Sequence, residues 1–543
     1  MRGWKPIRRP KPARITWKIN MSFSRVYSAQ THLLKGKIVT VEIDITKNTL
    51  HSFTLVGLPD KAVDESKDRM SSALKNSGFP SPNNQNQKIV ISLSPADLKK
   101  EGPYFDLAIA LAYLLSAGEI DFDPKGKIFL GELSLNGELQ PIKGVLPLTE
   151  QAMRLGYKEI FVPIANAAEA ALVRGIAIYG AKTLKEVVDH IYKIKYDKKG
   201  NPLEKERPKI LPQKATEIIR KDKTHDIDFS DIKGQESAKR GLEIAAAGGH
   251  NIALSGPPGT GKTMLARVFS HILPELSNED ILEITGIHSI VGLLDDSLMT
   301  EPPFRAPHHT ASYVSMIGGG TNPKPGEVTL AHKGVLFLDE FPEFEKRVLE
   351  ALRQPLEDNI VSISRARGSA IFPSNFILVA AMNPCPCGNK GNKDKNCICR
   401  PNDLERYNRR ISGPIIDRID LWVTVGNVDY KKLSDEVVRS EKTNTIKTRV
   451  KNARFLQEKR FKNTKRKIKT NSDMNIKELG IFAPLAPGVK QLLNDSAERL
   501  ALSARAYHRV IKIARTIADL ENSPNVEANH ILEAIQYRPK VNG

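Results

Sequence analysis

The chain is 543 residues long, 40% hydrophobic and 27% charged, enough for roughly three or four domains with sizeable cores. Its 82 Lys and Arg against 62 Asp and Glu leave a formal charge of +20, which makes a polyanion the natural partner. All four cysteines lie between 385 and 399, which excludes a secreted disulfide scaffold and fits a reducing, cytoplasmic setting; the longest apolar run, LAIALAYLLSA at 107 to 117, falls short of the ~18 residues a membrane span needs.

Residues 1–20 hold seven cations, no acid and no apolar signal core. With Met21 directly before the first regular pattern, they read as a basic leader produced by a mis-called start. From 37 to 45, Val41, Ile43 and Ile45 alternate with Thr40, Glu42 and Asp44, the period of a half-buried strand. Further strands are expected at 52–56, 88–93, 127–135 and 159–162, with helices near 60–77, 104–117 and 145–155, so 21–192 reads as one α/β or α+β domain. The charged, proline-containing segment 193–224 reads as a linker. Strands and helices alternate again over 225–430; the tail, 431–543, begins as a basic stretch and ends in helices near 486–498, 501–521 and 526–536.

The apolar strand at 251–255 runs into Gly256, Pro257, Pro258, Gly259, Thr260, Gly261, Lys262 and Thr263, followed by a helical pattern through Ile272. This is a P-loop in its required context: backbone N–H groups close on the phosphates of ATP, Lys262 reaches the β and γ oxygens, and the Thr263 hydroxyl ligates Mg²⁺. A second apolar strand ends at Asp339 and Glu340, placing Asp339 to hold Mg²⁺ through water and Glu340 to polarise the attacking water. A third, 376–383, ends at Asn383, whose amide either orients that water or serves a turn before Pro384. Cys385, Cys387, Cys397 and Cys399 form a C-x-C-x₉-C-x-C cluster able to close a tetrahedral Zn²⁺ site, with redox pairing or idle thiols as the alternatives. His308 and His309 are poorer ligands and either contact DNA or pack.

The order Gly234-Gln235, P-loop, Asp339-Glu340, Asn383 and DRID at 417–420, ending in helices, resembles the AAA+ ATPases over about 225–543. That likeness implies sensor 1 at Asn383, an arginine finger at Arg418 acting on a neighbouring subunit, and a sensor-2 arginine at Arg505, with Arg509 second. The other readings are an Asp417–Arg418–Asp420 ion-pair cluster and a solvated basic face. The insert at 286–333 (GIHSIVGLLDD, FRAPHHTASYVSMIGGG), ISRARGSAIFPSNF, MNPCPCG and GLPDKAVDESKDR make the whole chain similar to the ComM/YifB family of magnesium-chelatase-like ATPases. The resemblance implies a multidomain α/β chain: a Lon-protease-like α+β domain, an AAA+ core with a long insert, and a helical lid. It also implies a homo-hexameric DNA branch-migration helicase of natural transformation, handling branched DNA or single-strand/duplex junctions with recombination proteins and no membrane; an ATPase remodelling a protein or chelatase partner is the alternative. Where Lon proteases carry their Ser and Lys, this chain has Tyr104 and Leu148, with Lys143 misplaced, so no peptidase activity is expected.

Residues 431–470 carry +11 of the chain's +20. Interleaved with Phe455 and Phe461, Arg449, Lys451, Arg454, Lys459, Arg460, Lys465, Arg466 and Lys467 are expected to contact DNA phosphates, unless the run is only a solvated face. Arg365 and Arg367 form a competing contact, in the hairpin-like segment before sensor 1 where related helicases place a pore-facing hairpin.

Overall fold

The computed structural model describes residues 23–193, 207–220, 226–294, 298–320, 323–365, 368–391, 395–427 and 441–539, so the expected leader at 1–20 lies outside it. Contacts divide the chain into two units, Met1–Thr216 and Glu217–Gly543.

In the first unit the alternating segment becomes β2 (Lys35–Lys47), paired antiparallel with β1 (Phe23–His32). A four-stranded sheet in the order β1-β2-β4-β3 is completed by β3 (Ser52–Val56) and β4 (Gln87–Ser94). Val41, Ile43 and Ile45 are buried as their period requires. The long apolar run is helix α2 (Asp106–Ala117), which follows α1 (Ser66–Asn76) and is buried on nearly every face, as a helix apolar all round should be. The strand expected over 127–135 is interrupted at Gly131: β5 (Lys127–Phe129) joins a three-stranded parallel sheet with β6 (Glu159–Pro163) and β7 (Ala177–Ala181), while Glu132–Leu133 pairs with Leu139–Gln140. Leu148 is fully buried on α3 (Val145–Arg154) and Tyr104 is half-buried. The described part of the expected linker is not loose. Gln213 donates its N–H to the Ile178 carbonyl at 2.7 Å and Thr216 to that of Ala171 at 3.0 Å, whereas Ile218 packs beside Ile281 and Ile284 in the second unit.

The second unit is built on a five-stranded parallel sheet. In chain order the strands are β8 (Ile252–Ser255), β9 (Phe304–Arg305), β10 (Val335–Leu338), β13 (Ile377–Met382) and β14 (Leu421–Thr424), and in space they run β9-β10-β13-β8-β14. Between β10 and β13 the hairpin-like segment is a two-stranded antiparallel hairpin, β11 (Ile360–Arg365) and β12 (Gly368–Pro373). The side chain of Arg365 and all of Arg367 lie outside the described residues.

The basic stretch corrects the sequence reading. It contains a 19-residue helix, α6 (Thr443–Phe461), that buries Ile446, Val450, Ala453, Gln457 and Phe461 and packs on α4 (Glu236–Gly248) and on the helix Ala504–Leu520. The arginines of this helix turn toward the protein. Arg454 donates to the Ala246 carbonyl at 3.1 and 2.8 Å and Gln457 to that of Ala247 at 3.0 Å, satisfying last-turn carbonyls of α4; burial pushes the Arg454 guanidinium down to about 10. Arg449 pairs with Glu243 at 2.5 Å and Glu441 at 2.7 Å, and Arg466 with Glu478 at 2.6 Å. Arg460 meets Asp519 at 2.5 Å, beside Arg515 at 2.8 Å from the same carboxylate, whose side chain is fully buried. Of the eight cations expected on phosphate, Arg449, Arg454 and Arg460 are thus engaged internally, while Arg466 and Lys451 are exposed but paired with Glu478 and, at 3.8 Å, with Glu275. Asp519 lies on α8 (Ala504–Leu520), between α7 (Pro487–Arg499) and α9 (Ala528–Gln536).

Removing the shared carboxylate leaves the buried Arg515 and the half-buried Arg460 without their counter-charge. Asp519→Ala should therefore lower stability by about 3–5 kcal/mol, read as a fall in the denaturant midpoint of the second unit. An unchanged midpoint would mean that Arg460 and Arg515 find solvent or other partners at no cost, and would return Arg460 to the cations available to DNA.

Candidate nucleotide site

In the parallel sheet, β8, β10 and β13 end on the same edge: Ser255 is in register with Met382, and Leu338 with Ala380. The residues that follow, Gly256, Asp339 and Asn383, are delivered side by side although far apart in sequence. This is the edge at which open parallel sheets bind ligands. The P-loop spans 256–261 and continues into α5 (Lys262–His271). Gly259 and Gly261 adopt φ of 80° and 84°, left-handed values that strain other residues. They fold the loop around the Lys262 ammonium, which donates to the carbonyls of Gly256 and Pro257 at 2.8 Å each and to Asn383 Oδ1 at 3.3 Å. Burial pushes the Lys262 pKa down and nearby Asp339 pulls it back up. Thr260 donates its hydroxyl to the Pro257 carbonyl at 2.9 Å.

Thr263 Oγ1 donates to Asp339 Oδ2 at 2.9 Å, so the two oxygens proposed to hold Mg²⁺ are adjacent and hard, as that ion requires. Glu340 stands at φ 50°, a left-handed value uncommon outside glycine, and its N–H donates to Asp339 Oδ1 at 2.9 Å. Its carboxylate lies 2.9 Å from His309 Nδ1. The sequence reading offered His309 only to DNA or to packing. No spacing could have linked two residues so far apart in the chain, and the signal available was a His pair in a polar insert. His308 tilts against His309 with ring centroids 4.1 Å apart and contacts Thr310 Oγ1 at 2.9 Å.

Arg418 joins none of these groups. Its guanidinium contacts Glu357 and donates to the Pro414 carbonyl at 2.7 Å, with the side chain 12% exposed. The ion-pair alternative does not form as drawn either. Buried Asp420 pairs with Arg509 at 3.2 Å and lies 3.6 Å from His250; although burial opposes it, Arg509 and His250 hold its carboxyl below the usual range. Arg509 is thereby occupied, whereas Arg505 is exposed at the start of α8.

Beyond Asn383 the chain enters the cysteine loop. Sγ–Sγ distances are 3.4 Å for Cys385–Cys387, 3.7 Å for Cys385–Cys397 and 3.6 Å for Cys387–Cys397, and ligand atoms of all four cysteines lie within 4.8 Å of one another. Backbone N–H groups of Asn389 and Ile398 pull the Cys387 thiol down to about 6. The four residues could hold a metal ion.

A P-loop on the fourth of five parallel strands, with an amide at the end of the adjacent strand and an acid pair one strand further on, is the arrangement expected of a nucleotide site of the AAA+ type. In chain order, the family described as "Subunit ChlI of Mg-chelatase" matches residues 41–166, "Magnesium chelatase, subunit ChlI" matches 228–433, and "Magnesium chelatase, subunit ChlI C-terminal" matches 440–538. The chain is 40% identical to the competence protein ComM of Haemophilus influenzae over 529 residues, 96% of this chain and 98% of that protein. To YifB of Escherichia coli it is 41% identical over 522 residues, 95% and 97% of the two chains. A local similarity, 29% over 146 residues, relates 25% of the chain to 26% of Lon protease 2 of Bacillus subtilis. The chain belongs to the ComM/YifB family of magnesium-chelatase-like proteins.

Lys262→Ala should abolish ATP binding, while Glu340→Gln should bind ATP and hydrolyse it slowly, because only the second leaves the phosphate cradle intact. His309→Ala should retain ATP affinity and lose roughly 10-fold or more in turnover, since a mis-set Glu340 no longer aims water. Equilibrium binding of a fluorescent ATP analogue beside steady-state hydrolysis checks all three; equal affinity in wild type and Lys262→Ala would refute the assignment of the cradle.

Proposed function

We propose that the chain is an ATP hydrolase working as a DNA motor: a homo-hexameric helicase that drives branch migration and extends heteroduplex while incoming DNA is recombined during natural transformation. It acts in the cytoplasm with recombination proteins as partners. The observation that carries this reading is the meeting of Lys262, Thr263, Asp339, Glu340 and Asn383 at one sheet edge. In that arrangement Lys262 and the P-loop amides bind the phosphates, Thr263 and Asp339 hold Mg²⁺, and Glu340 and Asn383 orient water. Bound Mg²⁺ supplies charge neutralisation on the phosphate oxygens. The competence named in the Haemophilus relative supports the transformation setting.

The DNA surface proposed is narrower than the charge run. On the outer face of α6, exposed Lys451 and Lys459 flank exposed Phe455, with the Lys459 ammonium 4.5 Å above the Phe455 ring; Lys465 and Lys467 follow, also exposed. Such cations capture phosphate without regard to base sequence, and the hairpin at 360–373 remains the second proposed contact. We assign the N-terminal unit a structural or DNA-handling role. A second reading, an ATPase remodelling a protein or chelatase partner, draws on the magnesium-chelatase description of the matching families.

Hydrolysis measured with single-stranded, duplex and branched DNA separates the two, because a DNA motor is stimulated and a protein remodeller is indifferent. Replacing Lys451, Lys459, Lys465 and Lys467 with Gln should make the log-log salt dependence of DNA binding shallower by about 0.9 for each phosphate no longer neutralised. An unchanged slope would move the main contact to the hairpin.

If Arg418 leaves Glu357 to act as a finger on the next subunit, Arg418→Ala should keep ATP binding and lose on the order of 10³-fold in turnover. Mixing it with Lys262→Ala subunits should restore part of the activity. No recovery in oligomers shown to be mixed would count against a finger acting between subunits.

A further inference from the structure

The cysteine loop leaves β13 directly after Asn383, and a short helix, Pro401–Asn408, brings the chain back so that the Tyr407 hydroxyl donates to the Asn383 carbonyl at 3.1 Å. Among the described residues between these ends the loop has almost no core of its own: Cys385 is buried, while Ile398 is 83% exposed. Yet the loop packs against the phosphate cradle. A Cβ added at Gly388 would stand 2.6 Å from Pro258 Cδ, so the Gly388 backbone lies directly on the P-loop. A polar loop pressed on the nucleotide site, without apolar burial to hold it, needs another source of rigidity.

We propose that Cys385, Cys387, Cys397 and Cys399 bind one Zn²⁺, and that this ion braces the Gly388 backbone against Pro258 and so sets the shape of the ATP cradle. A Zn–S bond of about 2.3 Å gives a tetrahedron whose sulfur–sulfur edges are ~3.8 Å. The three measured edges, 3.4, 3.6 and 3.7 Å, lie close to this value, whereas a disulfide requires sulfurs about 2.05 Å apart. Multi-iron clusters interpose sulfide between metals and spread their thiolates farther, so edges this short fit a single ion. The backbone provides the outer hydrogen bonds that thiolate ligands accept: Lys390 N–H to Cys385 Sγ at 3.2 Å and Cys387 N–H to Cys399 Sγ at 3.4 Å. Such bonds hold metal ligands in place.

The chain contains four cysteines and all are in this loop, so a thiol reagent acts there alone. Full-length protein purified without chelator should carry one zinc per chain. Titration with an organomercurial should release it and weaken binding of a fluorescent ATP analogue roughly 10- to 100-fold; thiol reductant should restore affinity only when Zn²⁺ is returned with it. Cys397→Ser with Cys399→Ser should reproduce the loss. Gly388→Ala keeps all four ligands but places a side chain at a left-handed φ of 77° and a methyl group against Pro258, so it should retain zinc and still bind the analogue more weakly. Protein without zinc, or with stoichiometric iron in its place, would overturn the metal assignment. Zinc released with analogue affinity unchanged, or Gly388→Ala binding as wild type, would overturn the brace. None of these measurements uses DNA, so they stand or fall apart from the motor reading.

Discussion

The structure depends on one constraint, the parallel register of β8, β10 and β13. Hydrogen bonding in parallel fixes all three carboxyl ends on one edge. Each strand need only carry the right residue just beyond its last position for Gly256, Asp339 and Asn383 to meet, and the P-loop then turns Lys262 back onto the Gly256 carbonyl and Asn383. The chemistry is therefore specified by strand ends and not by the long segments between them, which are free to hold inserts. The strands can take that order because they are apolar along their length, β10 and β13 being buried at every position, as strands covered on both faces must be.

Charge is distributed by a different rule. A helix with cations on most of its turns still has to bury one stripe, and α6 packs that side of itself on α4 and α8. Arginines beside it reach inward and cap carbonyls or neutralise Glu243 and Asp519; their planar, multi-donor heads suit such contacts. Lys451, Lys459, Lys465 and Lys467, compact and strongly hydrated, remain outside. The division between structural arginines and exposed lysines follows from side-chain chemistry, and counting charge along the sequence blurs it.

This explains what was legible beforehand. P-loop, acid pair and Asn383 could be read because each motif sits at the end of an apolar strand, where local sequence and tertiary position agree. The helix over 443–461 was missed because its cations masked the spacing of Ile446, Val450, Ala453, Gln457 and Phe461, which is helical once the charges are set aside. The break at Gly131 is not legible in the sequence, because an apolar run gives no sign of where pairing changes partner. The His309–Glu340 pair and the Gly388–Pro258 approach were illegible in principle, since both join segments through tertiary packing with no shared period. Arg418 was singled out by its motif, but its engagement by Glu357 could not be inferred from neighbours three residues away or fewer.

Two excursions from the sheet return to the same few atoms. The insert after β9 brings His309 to Glu340, the residue proposed to act on water; the loop after β13 brings Gly388 to Pro258, in the cradle proposed to hold phosphate. Both contacts are small, one ion pair and one backbone approach, so neither supplies much stability. Their value is positional. Phosphoryl transfer relies on placement and on charge neutralisation, and a carboxylate with half of its surface exposed, as Glu340 has, keeps its aim only if something outside its own strand holds it. The segments that depart from a minimal parallel sheet are thus the ones that touch the groups proposed to react, which gives inserts remote from the P-loop in sequence a direct physical route to the rate of the proposed ATP hydrolysis.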